Sequence, residues 1–325
     1  MDRNVITSRV ATRTTHKLAK AFLAVSLLAA ASACSRSAAA DPAAVVQASA
    51  TERRLAELSL RAQPGVLGVY VEDLATGWSA GVEADAPRPM MSVFKAPMAA
   101  AVLAQVDAGA LSLEHKVTIR KEDLRGGPTI VADQFKGEPL TFTVRELLGY
   151  AVSQSDNTAT DALLPLIGGP PAVTAYMRGK GIEGFRLDRD ERALGADIRR
   201  LGAEGFMADP RDTVTPRAAG AFLRQLAAGE LVSPASTALL LDLMRKTTTG
   251  PRRIRVGMPT GSQLAHKTGG SGMVGKVAIA TNDIGLVTTP DGRRLAVAIF
   301  LSASPANDKE RDALIAEAAR IATGG

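Results

Sequence analysis

Strand-forming runs cluster near the two ends of this 325-residue chain, and a long helical stretch separates them. Near the start, VLGVYVEDLATGWSAG (66–81) reads as a hairpin: a β-branched run, an Ala-Thr-Gly turn and a short second strand. Near the end, HKTGG (266–270), MVGKVAIATNDIGLVTT (273–289) and LAVAIFLSAS (295–304) read as strands, the last two joined by a PDGRR turn. Between them, about 92–245, apolar residues recur at helical spacing in segments opened by Ser, Thr, Asn or Pro, such as SVFKAPMAAAVLAQVD, NTATDALLPLI and TPRAAGAFLRQLA. The economical way to bury such strands is one sheet built from both termini and covered by the first and last helices. The expected fold is therefore α/β plus all-α: a five-stranded antiparallel sheet flanked by N- and C-terminal helices, with a helical domain inserted. Its boundaries fall at 45–90 and 246–325 for the discontinuous α/β domain and 91–245 for the helical one. Within the latter, 183–213 is charged, Gly-punctuated and weakly periodic, and reads as an irregular segment, either functional or disordered.

Hydrophobic residues make up 46% of the chain, enough for a large core, but aromatics only 4%, so Ala, Val and Leu must do the packing. The formal charge of +6 invites a nucleic-acid reading, which its distribution removes. Residues 1–33 hold five basic side chains against Asp2, a net of +4, leaving +2 on the remainder. No phosphate-binding surface is indicated. That basic stretch, the short apolar run AFLAVSLLAAA and the small residues before Cys34 read as an export signal (1–33), followed by an Ala/Ser-rich tether (34–44). The apolar run, about eleven residues, is too short to span a bilayer as a helix. Cys34 is the only cysteine, so no disulfide can form within the chain. Two readings of it stand: the lipidated first residue of a bacterial lipoprotein, or a residue beside an ordinary cleavage site. Either way the protein leaves the cytoplasm, for the periplasm, with the membrane reached only through a lipid on Cys34.

Three short motifs carry chemistry. Ser92 and Lys95, three apart, share one helical face, and no other serine has a lysine at that spacing. Read alone, the pair is a helix cap and a solvated lysine; read as a site, it is a nucleophile beside a base whose pKa burial would lower. Ser155-Asp156-Asn157 opens a helix and alone would be a cap. Lys267-Thr268-Gly269 lies on a predicted strand and alone would be a strand end. In the order S-x-x-K, S-D-N, K-T-G they form the signature of penicillin-binding proteins and class A β-lactamases.

The chain resembles a class A serine β-lactamase from the first hairpin to the last helix. RLDRDE, PRDTVTP, TTTGPRRIRVGMPTG and ATNDIG support the likeness, and the family's transpeptidase-like fold matches the architecture above. The resemblance implies that Ser92 attacks the β-lactam carbonyl, with Lys95 as activating base or proton relay. Ser155 would pass a proton to the departing nitrogen, and Asn157 would hold the side-chain amide of the substrate. Lys267, Thr268 and Gly269 would face the substrate carboxylate, and the N–H groups of Ser92 and Gly270 would form the oxyanion hole. Arg253 would support carboxylate binding, with Lys276 as second candidate and a surface arginine as the plain alternative. Glu191 would activate the deacylating water; whether it or Lys95 takes the acylation proton is disputed in the family.

Two departures stand out. Gly195 sits four residues after Glu191, where most members carry an asparagine, and the span from Arg189 to Asp212 is longer than usual, with the extra length near 196–208. The expected protein is a monomeric hydrolase of penicillins and cephalosporins that confers antibiotic resistance and needs no cofactor. The alternatives are a penicillin-binding D,D-peptidase and a non-hydrolytic binding protein of the same fold. A metal site is not expected, because His16, His115 and His266 are scattered.

Overall fold

The computed structural model describes residues 42–324, with side chains from residue 50 onward. The leader and Cys34 lie outside the described residues. The first helix spans Pro42–Arg61, so it opens within the last three residues of the predicted tether.

The central sheet takes β1 (Val66–Asp73) and β2 (Ser79–Val82) from the N-terminal hairpin. From the C-terminal part come β3 (Gln263–Gly270), β4 (Met273–Val274), β5 (Val277–Thr288) and β6 (Arg294–Ser304). Five of these run in the order β2-β1-β6-β5-β3, every neighbouring pair antiparallel, and the two-residue β4 adds to β5 beyond that path. The join between the chain ends is the β1–β6 pairing, Val66 opposite Ser302 through Asp73 opposite Leu295.

Alternation along β6 shows how both sheet faces are covered. Leu295, Val297, Ile299 and Leu301 point to one core with Leu55 and Leu58 of the first helix and Ile315, Ala318 and Ala322 of the last, Asp308–Thr323. Ala296, Ala298 and Phe300 point to a second core shared with the helical region, where Phe94, Leu147, Phe222 and Met244 are buried. A strand buried on both faces needs apolar residues at every position, which is why LAVAIFL lacks the polar alternation of a half-exposed strand. The small Ala residues set a close approach: Gly220 of helix Pro216–Ala228 lies so near β1 that a Cβ there would stand 2.3 Å from the Tyr70 ring.

The inserted region holds the helices expected from sequence, including Lys95–Asp107, Val144–Ser153, Asn157–Leu163 and Pro234–Arg245. It also holds β elements that the sequence reading lacked: Lys116–Ile119 paired with Leu140–Thr143, and two-residue strands at 185–186 and 213–214, the latter pairing also with 88–89 just ahead of the region. Strands this short carry no detectable period.

The segment 183–213 departs most from expectation. It is not irregular throughout: a helix spans Glu191–Met207, broken where Gly202 takes φ 66°. Asp190 caps it by accepting the Ala193 N–H at 2.7 Å. Its apolar stripe, Leu194, Ile198, Leu201 and Phe206, packs on Met91 and on Ile279 and Ala280 of β5. An ion network closes the loop from beneath. Arg189, 4% exposed, pairs with Asp212, with Asp197 at 2.8 Å and with Asp209 at 3.3 Å, while its guanidinium stacks on Phe206. Asp212 also accepts the N–H groups of Asp188 and Arg189. Arg211 holds Asp209 down at a pKa of about 2.

Removing Asp212 takes from Arg189 its nearest carboxylate and leaves the N–H groups of Asp188 and Arg189 without their acceptor. Asp212→Ala is expected to lower unfolding stability by about 3 kcal/mol, measured from urea denaturation midpoints. A loss below about 0.5 kcal/mol would show that the network contributes nothing to the fold.

Candidate active site

The nucleophile candidate sits on a strained turn. Met91 has φ 46°, and Met91–Phe94 forms a short 3₁₀ turn running into helix Lys95–Asp107. This turn packs directly on the edge strand β3. A Cβ on Gly269 would stand 2.5 Å from the Met90 carbonyl oxygen, so only glycine lets strand and turn approach this closely. Asn282 of β5 fastens the same turn by donating to the Pro89 and Met90 carbonyls.

Ser155 is the second strained residue, at φ 60°. Its conformation is fixed on both sides. Asp156 caps helix Asn157–Leu163 through one carboxylate oxygen and holds the Val131 N–H with the other, and the Asp156 N–H donates to Tyr150. Ser153 is anchored through its hydroxyl to the Leu243 carbonyl. Held left-handed, Ser155 offers two groups to two lysines. Its carbonyl accepts from Lys95 Nζ at 2.7 Å and its hydroxyl accepts from Lys267 Nζ at 2.9 Å.

Lys95 is completely buried. Besides Ser155, its Nζ reaches Asn157 Oδ1 at 2.6 Å and Glu191 Oε1 at 2.9 Å. The Ser155 carbonyl and Asn157 Oδ1 accept hydrogen bonds from this amine, while Glu191 Oε1 stands beside it as the paired charge without an aligned hydrogen bond. Glu191 is the first residue of helix Glu191–Met207, placed by its backbone: its N–H and that of Arg192 donate to Asp161, which also pairs with Arg125 at 2.5 Å. Burial raises the pKa of Asp161 despite that arginine.

Lys267 lies on β3, opposite Ile284 of β5, with its side chain fully buried. Burial, followed by the Lys95 charge, pulls its pKa well below the usual lysine value, and Asp283 and Glu191 offset this only in part. Next to it, the Thr268 hydroxyl shares a 2.5 Å hydrogen bond with Thr249. Arg253 crosses behind the strand end, pairing with Asp312 at 2.8 Å and donating to the Gly269 and Asn282 carbonyls.

Ser92, Ser155, Asn157, Glu191, Arg253, Thr268, Gly269 and Gly270 all line one cleft of about 730 Å³, with Lys95 and Lys267 just beneath. The two residues expected to supply oxyanion N–H groups, Ser92 and Gly270, thus border the same space. Lys276 is exposed and does not line the cleft. Asn157 Nδ2 donates to the Gly126 carbonyl at 2.7 Å. Gly195 also borders the cleft, one helical turn beyond Glu191.

Three residues escaped the sequence reading. Asp161 sits inside NTATDAL with no motif to mark it, and Thr249 is one of three consecutive threonines. Arg199 lines the cleft from the 191–207 helix, and recognising that helix would have placed it one turn beyond Gly195.

A sheet made from both termini, with a helical region inserted and a serine over two buried lysines at their junction, defines a serine acyl-transferring hydrolase of the penicillin-recognising fold. Comparison narrows this. Residues 50–324 match the model of the β-lactamase enzyme family. The extended-spectrum β-lactamase PER-1 of Pseudomonas aeruginosa is 36% identical over 72% of this chain and 74% of the relative. The carbapenem-hydrolysing β-lactamase KPC of Klebsiella oxytoca is 35% identical over 80% and 84%. Among solved structures, a β-lactamase from Chitinophaga pinensis superimposes with a TM-score of 0.77 at 34% identity, covering 84% of this chain and 97% of that one. The ancestral Gram-negative class A enzyme gives 0.74 at 40% identity, covering 83% and 98%. The chain belongs to the class A serine β-lactamase family and is a hydrolase of the β-lactam amide bond.

The depressed pKa of Lys267 has a kinetic consequence. A lowered pKa means the cation is lost earlier as pH rises, and with it the charge-assisted hydrogen bond to the Ser155 hydroxyl. The alkaline limb of kcat/KM for benzylpenicillin is expected well below the ordinary lysine value of about 10.4. A profile flat to about pH 10 would contradict this.

Proposed function

We propose that the cleft hydrolyses penicillins and cephalosporins through an acyl-enzyme on Ser92. Ser92 Oγ attacks the lactam carbonyl carbon while its proton passes to Lys95, which relays one of its own to Glu191. The oxyanion is held by the Ser92 and Gly270 N–H groups. The C–N bond breaks as the nitrogen takes a proton from the Ser155 hydroxyl, which Lys267 supports and which is reprotonated from Glu191 by way of Lys95, leaving Glu191 ionised again. Glu191 then removes a proton from water as the water oxygen attacks the ester carbon; the C–Oγ bond breaks, and Glu191 returns that proton to Ser92. Lys267, Thr268 and Gly269 orient the substrate carboxylate. Arg253 serves by bracing β3 through its Asp312 pair and adding positive charge behind it. Asn157 orients the acyl side chain with its remaining amide hydrogen.

The observation that carries this reading is the single Lys95 ammonium in reach of Ser155, Asn157 and Glu191 together. It favours a hydrolase over a D,D-peptidase, because a carboxylate 2.9 Å from the buried lysine supplies the base that deacylation requires. The site sits where the α/β domain (45–90 and 246–325) meets the helical domain (91–245), and the protein acts as a monomer.

Ser92→Ala should abolish hydrolysis of a chromogenic cephalosporin; equal rates in variant and parent would overturn the reading. Glu191→Ala should still acylate, so intact-mass spectrometry after penicillin is expected to show an adduct on Ser92. Normal turnover by that variant would remove Glu191 from the role of base.

Residues 1–33 serve as the export signal and take the enzyme to the periplasm, with Cys34 as the candidate anchor. Radiolabelled palmitate should be incorporated by the parent and not by Cys34→Ala. An unlabelled parent would mean ordinary signal cleavage and a free periplasmic enzyme.

A further inference from the structure

The cleft is lined by four arginines, Arg125, Arg192, Arg199 and Arg253, against one carboxylate, Glu191. Three of the four are engaged. Arg125 pairs with Asp161, Arg192 donates to the Glu122 carbonyl, and Arg253 pairs with Asp312. Glu191 is itself neutralised by Lys95. Arg199 is different: among the described residues it has no hydrogen-bond or ion-pair partner, and it is exposed on the cleft wall.

Its position follows from the helix. Arg199 stands one turn beyond Gly195 and two turns beyond Glu191, on the face turned to the cleft. Gly195 has no side chain, and Arg199 Nη1 lies 3.4 Å from where its Cβ would be. The guanidinium thus leans over the gap that Gly195 leaves. On the opposite wall, Thr268, Gly269 and Gly270 are assigned to the substrate's ring carboxylate. The acyl side chain of a substrate bound at Ser92 would then extend towards Asn157 and the 191–207 helix.

We propose that Arg199 is a specificity-determining residue that recognises a second anionic group, a carboxylate or sulfonate, on the acyl side chain of a β-lactam. The inference rests on the hydrolase reading above and adds the substrate class that this wall prefers. A guanidinium is suited to that task, since its planar N–H fork matches a carboxylate in two-point contact. With no internal partner, it need break no ion pair to bind one.

The test compares two substrates that differ only in the feature at issue. Carbenicillin is benzylpenicillin with an added carboxylate on the side-chain α-carbon. In Arg199→Gln, the ratio of kcat/KM for carbenicillin to that for benzylpenicillin is expected to fall about fivefold, chiefly through a higher KM for carbenicillin. Arg199→Lys, which keeps the charge, should retain most of the ratio. Added salt should lower the ratio in the parent and leave Arg199→Gln unaffected, because an exposed ion pair is screened. An unchanged ratio in Arg199→Gln, including an equal fall for both substrates, would overturn the proposal. A parent that hydrolyses neither penicillin would instead defeat the hydrolase reading itself.

Discussion

Two lysines buried a few ångströms from one another, with one serine between them, are the constraint around which this protein is organised. Each cation would be costly to bury alone. Ser155 relieves both, giving its carbonyl to Lys95 and its hydroxyl to Lys267, and only a left-handed backbone aims the two groups in those directions. The neighbouring residues help to hold that conformation: Asp156 caps its own helix with one carboxylate oxygen and holds the Val131 N–H with the other, and Ser153 is anchored on the 234–245 helix. Glu191 supplies a compensating charge, so the loop carrying it belongs to the electrostatic balance of the core.

The sheet gives this cluster its rigidity. With both faces buried, β5 and β6 leave β3 as an edge strand whose last residues, Lys267, Thr268, Gly269 and Gly270, lie at the cleft. An edge offers unpaired backbone groups, ordinarily a liability; here the nucleophile turn packs against it and the cleft opens beside it. Arg253 pins the back of the strand to the last helix through Asp312, linking the geometry of the cleft to the C-terminal packing.

Much of this was legible in the sequence because it is written locally. Helix caps, the hairpin turn and the doubly buried strands depend on residues within a few positions of one another, and the structure places them where periodicity does. The motif residues also come together as their order implies: Ser92, Lys95, Ser155, Asn157, Glu191 and Lys267 meet although up to 175 positions separate them. The 183–213 segment was not legible. Its helix is stabilised by Arg189 and Arg211 reaching Asp197 and Asp209, partners whose match no window of hydrophobicity reveals. Asp161 escaped for the same reason: its three donors come from two distant segments.

The pairing of β1 with β6 also governs when the molecule can exist as a folded object. Val66 finds its partner in Ser302, so the N-terminal hairpin waits for nearly the whole chain to be synthesised before its main neighbour is available. Contacts of such sequence separation form late and slowly. A growing or threading polypeptide therefore stays without its sheet, and without the edge strand that completes the cleft, until its last thirty or so residues arrive. This ordering couples the appearance of activity to the arrival of the strand that closes the sheet.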